Sequence, residues 1–328
     1  MKSTIYCFLL MSIAIIFFIA LSIIDLSVSF AQGKSKTPVP QKQVSIPPPS
    51  EVIKMNQRQN YQPSSHEPPV APLTEEEIGK YNELIGRIDR DIIISGLKFS
   101  FNIFSGAVKQ NDKPNTFISP FSVMQALLLT YNGAAGETKT AMEKTFYLEN
   151  IDSEKLAATN IAFNKLIENI DPKVEMSVAN SVWTKTGLAF SEEYLKKNTQ
   201  IYNAEVKSVD FKSADAVPAI NKWVSDKTRG KISPAVERLP ENLTVMLINA
   251  IYFKGAWTSK FNPDNTRDED FNAPGGVKKV KMMTQGGSFE YMKNEEFQAI
   301  KMYYGARRRV AMYLFLPVSG SGLDKFIA

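Results

Sequence analysis

Cysteine and histidine are almost missing: the 328 residues hold one of each, Cys7 and His66, and both precede the first stretch with the periodicity of folded structure. That excludes a Cys nucleophile, a Ser-His pair, a Cys/His metal site and an internal disulfide from the rest of the chain. Ser-Lys and paired-carboxylate catalysis stay open on composition. The densest acidic cluster, Asp268, Glu269 and Asp270, lies beside an expected surface turn and reads as a solvated face. No cofactor or metal is expected. Charge of one sign is also scarce: 39 Lys and Arg against 34 Asp and Glu leave a formal charge of +5. The lysines are scattered, without a basic stripe interleaved with stacking aromatics, so nucleic acid is not the expected partner.

What is present at the N-terminus is an address. Lys2 precedes an apolar run over residues 5–24, and Ser29-Phe30-Ala31 resembles a small-x-small cleavage site. A secreted protein with a cleaved signal peptide (1–31) is the expectation. The alternative is an uncleaved helix tethering the protein to the outer face of a membrane, since about 20 apolar residues also span a bilayer. Nine of the 18 prolines then fall within residues 38–72, among Gln, Ser and Lys. A segment of that composition buries too little surface to fold, so residues 32–73 are expected to form a disordered tether.

From Thr74 onward the pattern is that of a folded α+β domain, residues 74–328, with helices first, a few long strands, then hairpins. Thr74-Glu75-Glu76-Glu77 has the form of a capping box opening a helix toward Ile94, followed by a second helix over 97–108. A short strand is expected at 116–118. Ser119-Pro120 then starts a helix that is apolar nearly all round and hence buried. Helices are expected at 136–146, 153–170, 191–202 and 219–228, and strands at 174–185 and 205–211. Hairpin strands should occupy 271–283, 289–292, 297–304 and 309–316. Arg307-Arg308-Arg309 falls at a hairpin turn and is read as solvated, with a sulfated-polymer or protease contact as the alternative.

The stretch 243–257, LTVMLINAIYFKGAW, is the centre of the pattern. Val245, Ile248 and Ile251 are β-branched, two aromatics follow, and the run stops at Gly255, which favours a strand covered on both faces over a helix. Asn249 lies in its middle. A buried amide without partners costs about 1–3 kcal/mol, so Asn249 must bond to something outside its own strand.

Six segments, in order, resemble the serpins: NTFISPFSV (115–123), GAAGET (133–138), ANSVWTK (179–185), INKWVSDKTRGKI (220–232), VMLINAIYFKGAW (245–257) and APGGVKKVKMM (273–283). The resemblance implies an inhibitor of serine or cysteine endopeptidases, not an enzyme, whose reactive loop baits a protease. Once cleaved, the loop inserts as a new strand of the large sheet. It also implies roles by matching position. Ser119, Ser122 and Asn249 would form a shutter-like polar cluster that lets strands slide. Lys254 and Trp257 would lie where insertion begins, in a breach-like position. Thr266 and Phe271 would lie on the gate-like side. In the family, the residues after Leu316-Pro317 supply two small helices, further strands, the hinge and the reactive loop, and Asn249 has a histidine partner. Those are absent from the sequence, so a partial domain that does not itself trap a protease is expected, with an apolar strand edge open to aggregation. A non-inhibitory binding protein on the same fold is the competing reading.

Overall fold

The structure, a computed structural model, describes residues 72–110, 116–273, 276–287 and 289–317. The apolar run at 5–24, the cleavage site, nearly all of the proposed tether, Cys7, His66, the Asn111–Asn115 breaker, the Pro274-Gly275 turn and the 318–328 tail lie outside those residues.

Helices lead, as the periodicity indicates. They are α1 (Glu75–Gly86), α2 (Arg90–Gln110), α3 (Pro120–Tyr131), α4 (Gly136–Phe146) and α5 (Ser153–Glu168). Next come β1 (Val174–Lys185), α6 (Glu192–Tyr202), β2 (Ala204–Val209), α7 (Ala216–Lys227) and β3 (Val245–Gly255). The hairpin strands β4 (Arg267–Ala273), β5 (Gly276–Met282), β6 (Glu290–Lys293), β7 (Phe297–Tyr304) and β8 (Val310–Pro317) close the described chain. Thr74 caps α1 with the full capping box: its hydroxyl accepts from Glu77 N, and the Glu77 carboxylate accepts from Thr74 N at 2.8 Å.

The first helical region divides differently from the expectation. The break falls at 87–89, not at Ser95-Gly96, because Asp89 caps the second helix by accepting from Asp91 N at 2.8 Å. Ser95 and Gly96 are buried within α2, where the Ser95 hydroxyl bonds the Tyr147 carbonyl at 2.7 Å. Residues 116–118 form no strand; the segment leads directly into the Ser119 cap. Helix α3 is buried on one side only. Met124, Leu128 and Leu129 are in the core, whereas Val123 and Leu127, one turn apart, are 38% and 37% exposed.

The large sheet has the order β2-β1-β3, with β1 and β2 parallel and β1 and β3 antiparallel. Side-chain alternation gives it two different faces. Met176, Val178 and Val182 of β1 and Val245, Leu247 and Ile251 of β3 pack against Phe99 of α2, Phe121, Met124 and Leu128 of α3, and Phe163 of α5. On the opposite face Ala179, Trp183, Met246, Ile248 and Ala250 receive Ile220, Trp223 and Val224 of α7. β3 is thus covered on both faces, as its apolar run implies. It is also the edge strand of this sheet among the described residues.

Helix α7 is fastened to the sheet by charge as well as by apolar contact. Glu205 of β2 lies 2.6 Å from the Lys227 ammonium and 3.1 Å from that of Lys207. Burial alone would raise the Glu205 pKa, but the hydrogen bonds from the two lysines outweigh it and bring it to about 2. A depressed carboxylate pKa contributes stability above its unfolded value and loses it as pH falls through the folded one. The α7–β2 clasp is therefore expected to hold above pH ~4.5 and to be lost between that and about 2. Amide exchange in α7 followed over that range checks this: Glu205→Gln should abolish the acid-dependent increase in exchange.

The three arginines of the β7–β8 turn are not a solvated triplet. Asp171, after α5, accepts from Lys173 N (2.8 Å), Ala306 N (3.0 Å) and Arg307 N (2.5 Å), so one buried carboxylate organises two turns. The Arg309 guanidinium lies 3.8 Å from the Tyr81 ring centroid and that of Arg308 4.7 Å from the Tyr303 ring. Arg309 thus joins α1 to the second sheet, of order β6-β7-β8, while Arg308 packs on a ring of its own hairpin; both contacts offset the cost of half-burying the cations.

Candidate functional site

The site is built on the middle of β1 and β3. In an antiparallel ladder the residue opposite is fixed by register, and here Asn180 lies opposite Asn249. Both occupy the register that faces the helices. Asn249 Nδ2 donates to Asn180 Oδ1 at 2.7 Å, and Asn180 Nδ2 donates to the Tyr202 carbonyl at the end of α6 at 2.8 Å. The two amides thus form a relay from the edge strand, through the central strand, to a helix terminus. The requirement that Asn249 bond outside its own strand is met. Its Oδ1, however, is buried and has no hydrogen-bond partner among the described residues. A carbonyl acceptor left open in this setting is ready to take a donor from another element.

Ser119 and Ser122 lie at the start of α3, the helix whose apolar side backs β3. Ser119 is the N-cap; its Oγ accepts from Ser122 N at 3.3 Å and is 2.6 Å from Ser122 Oγ. The two hydroxyls bond each other, and no hydrogen bond among the described residues joins them to Asn249. The expected three-residue cluster is therefore two pairs, Ser119 with Ser122 and Asn249 with Asn180. Asn180 was missed by sequence reasoning. The signal was there: it interrupts the Val174, Met176, Val178, Val182 register with an amide, as Asn249 interrupts its own strand.

Lys254 and Trp257 lie at the C-terminal end of β3. Lys254 is exposed and opposite Glu175, whose carboxylate pairs with Arg229. The Trp257 ring stacks on Tyr304 with centroids 4.1 Å apart, and Phe253 meets the other end of that stack edge-on at 5.1 Å. Gly255 is required here, since a Cβ would lie 2.8 Å from ring atoms of both Phe253 and Tyr304. Main-chain bonds from Thr258 N to the Tyr303 carbonyl (2.9 Å) and from Gly305 N to the Ala256 carbonyl (2.8 Å) complete the joint between the two sheets.

Thr266 and Phe271 lie apart from these residues. Thr266 ends a single 3-10 turn, and Phe271 is half-buried on β4, which among the described residues pairs only with β5. On the other face of that hairpin Asp268 pairs with Lys281 and Asp270 with Lys279, both at 2.8 Å and exposed. The acidic cluster is thus the charged surface of a ribbon. No group of three or more His, Cys, Asp or Glu among the described residues could hold a metal ion.

The arrangement defines an α+β protein whose large sheet ends in an apolar edge strand, backed by exchangeable amides and tied at one end to a second sheet. Comparison with known proteins gives the family. The Serpin (serine protease inhibitor) family model matches residues 95–328, and the chain belongs to the serpin family. Among curated relatives it is 32% identical over 243 residues to an uncharacterised serpin-like protein of Thermococcus kodakarensis, covering 74% of this chain and 56% of that protein. It is 33% identical to human antithrombin-III (67% of this chain, 49% of the relative) and 32% identical to rat corticosteroid-binding globulin (73% and 60%). The chain thus spans about half to three fifths of the length of these relatives. Among solved structures it resembles emu (Dromaius novaehollandiae) ovalbumin at 26% identity and TM-score 0.67, covering 72% of this chain and 66% of that one. The thermophilic serpin tengpin in its latent state gives 28% identity and TM-score 0.67, covering 73% and 64%.

Proposed function

We propose that the protein, when full length and carrying the reactive loop that residues 1–328 lack, is a serpin-type inhibitor of serine or cysteine endopeptidases that acts by receiving its cleaved reactive loop as a strand beside β3. The observation that carries this is the amide pair linking buried Asn180 of the central strand β1 to half-buried Asn249 of the edge strand β3, with Asn249 Oδ1 unpartnered among the described residues. Polar groups that exchange partners let a strand shift where a purely apolar interface would resist. In this reading the Ser119–Ser122 pair and Asn249 form the sliding surface. Lys254 and Trp257 mark the end where insertion begins, and Thr266 and Phe271 flank the gate. The apolar run at 5–24 supports export, as a cleaved signal or as a membrane tether, with the Pro-rich segment as spacer. The protein's partner is a target protease; neither nucleic acid nor a sulfated polymer is part of this reading.

A second reading is favoured by one specific finding, that relatives of similar identity include corticosteroid-binding globulins. On that reading the fold is a non-inhibitory binding scaffold. Incubating the full-length protein with trypsin-like, chymotrypsin-like and papain-like proteases separates the two. Inhibition predicts a covalent complex with at least one protease that survives boiling in detergent. Cleavage without any such complex, across all three classes, removes the inhibitor reading and leaves the scaffold.

A further inference from the structure

The segment between α7 and β3 holds a triplet with a chemistry of its own. Asn242-Leu243-Thr244 is the one place in the 328 residues where asparagine is followed two positions later by Ser or Thr with a residue other than proline between them. That spacing is the N-glycan acceptor pattern, in which a hydroxyl two residues on reaches back to the carboxamide. A hydroxyl on the very next residue lies on the other side of an extended chain. Asn180-Ser181, Asn198-Thr199 and Asn265-Thr266 have that shorter spacing, and Asn180 and Asn198 are buried and hydrogen-bonded as well. Around Asn242 the fold does the opposite. Leu243 N donates to the Pro240 carbonyl at 3.2 Å, closing a four-residue turn with Asn242 at its third position, a residue type that turns favour. Asn242 and Thr244 are exposed and Leu243 between them is half-buried, so the amide and the hydroxyl face solvent together. The Thr244 carbonyl accepts from Lys185 N at 2.9 Å, which pins the backbone to β1 while both side chains stay outside. A bulky polar group attached here displaces no core side chain. It also starts roughly 20 Å along the extended chain from Asn249, clear of the amide pair.

We propose that Asn242 is an acceptor for an N-linked oligosaccharide, added as the chain crosses the membrane to which its N-terminus directs it. This rests on the export reading given above. The donor is an oligosaccharide carried on a polyprenyl diphosphate, and a transferase of that membrane supplies the catalysis. Asn242 Nδ2 forms a bond to C1 of the first sugar while the bond from C1 to the diphosphate oxygen breaks. The polyprenyl diphosphate leaves with the bonding electron pair, and one amide proton passes to solvent. Thr244 is the positioning residue, because its hydroxyl sets the orientation of the carboxamide and takes no part in the bond that forms. The sugar then projects from the turn ahead of β3, where the exposed side chains let the folded protein accommodate it.

The test translates the full chain in the presence of microsomes that hold the donor and the transferase, with protease protection as the measure of translocation. A second version carries a well-characterised export signal in place of residues 1–31. The protected chain should run one step slower on a denaturing gel, and peptide N-glycosidase should remove the step and leave aspartate at position 242 in the peptide map. Asn242→Gln and Thr244→Val should lose the step entirely, whereas Thr244→Ser, which keeps the hydroxyl, should retain it. The glycosidase should act on the folded protein without denaturant, because the turn is exposed. A protected chain of either version that runs without the step, or a step that persists in Asn242→Gln, overturns the proposal. A glycan released only after denaturation overturns its placement on an open turn. If the chain with its own N-terminus stays unprotected and the version with the exchanged signal is modified at Asn242, the export reading fails and the acceptor stands.

Discussion

Gly305→Ala is expected to cost about 3 kcal/mol or more and to leave little folded protein at physiological temperature. The residue has φ +76°, which a side chain disfavours, and an added Cβ would lie 2.3 Å from the Asp171 carboxyl carbon. Relief by moving Asp171 is closed off, since that carboxylate holds the amides of Lys173, Ala306 and Arg307. The Gly305 carbonyl in turn accepts from the Thr258 hydroxyl at 2.6 Å, so the damage passes to the joint behind β3. Thermal unfolding of the variant measures the loss. A change in midpoint of less than a few degrees would show that the turn can be rebuilt without Asp171.

The second large effect concerns the amide relay. Asn180→Ala leaves the Asn249 amide and the Tyr202 carbonyl without partners in a buried setting, at an expected cost of about 2–4 kcal/mol. Asn249→Ala leaves only Asn180 Oδ1 and should cost about 1–2 kcal/mol. Because the first substitution already removes the bond on which the second acts, the double variant should fall short of the sum by about 1–2 kcal/mol. Urea unfolding of the four proteins gives the coupling directly. Additivity within error would mean that the two amides, though 2.7 Å apart, do not act as a unit.

Much of this architecture could be read from the chain because local signals and tertiary demands coincide. Strand β1 and helix α4 have the limits that alternation and turn chemistry set, and Ser119-Pro120 caps α3 as its residue types require. Legibility failed where a distant partner decided. Ser95-Gly96 looks like a helix break, yet the Tyr147 carbonyl satisfies the serine and α2 runs through. Thr116, Phe117 and Ile118 have strand propensity but adopt no strand, since the chain turns directly into the Ser119 cap. The arginine triplet resembles an exposed turn until Tyr81, far away in sequence on α1, is brought against Arg309 and Asp171 against the turn's amides. At the site, Asn249 was visible because it stands alone in an apolar run, whereas Asn180 is masked by the polar residues that alternate around it. The hydroxyl pair and the amide pair come from different elements, and only the fold shows that they bond separately.

The central claim is that the edge of β3 receives a strand. Hydrogen exchange on the full chain, with and without a strand-length extended peptide, tests it most directly. The account predicts that the β3 amides not engaged with β1 become strongly protected when the peptide is present, and that Asn249→Ala slows this protection. Exchange in residues 245–255 that is identical with and without peptide, at concentrations that saturate any gel shift, would contradict it.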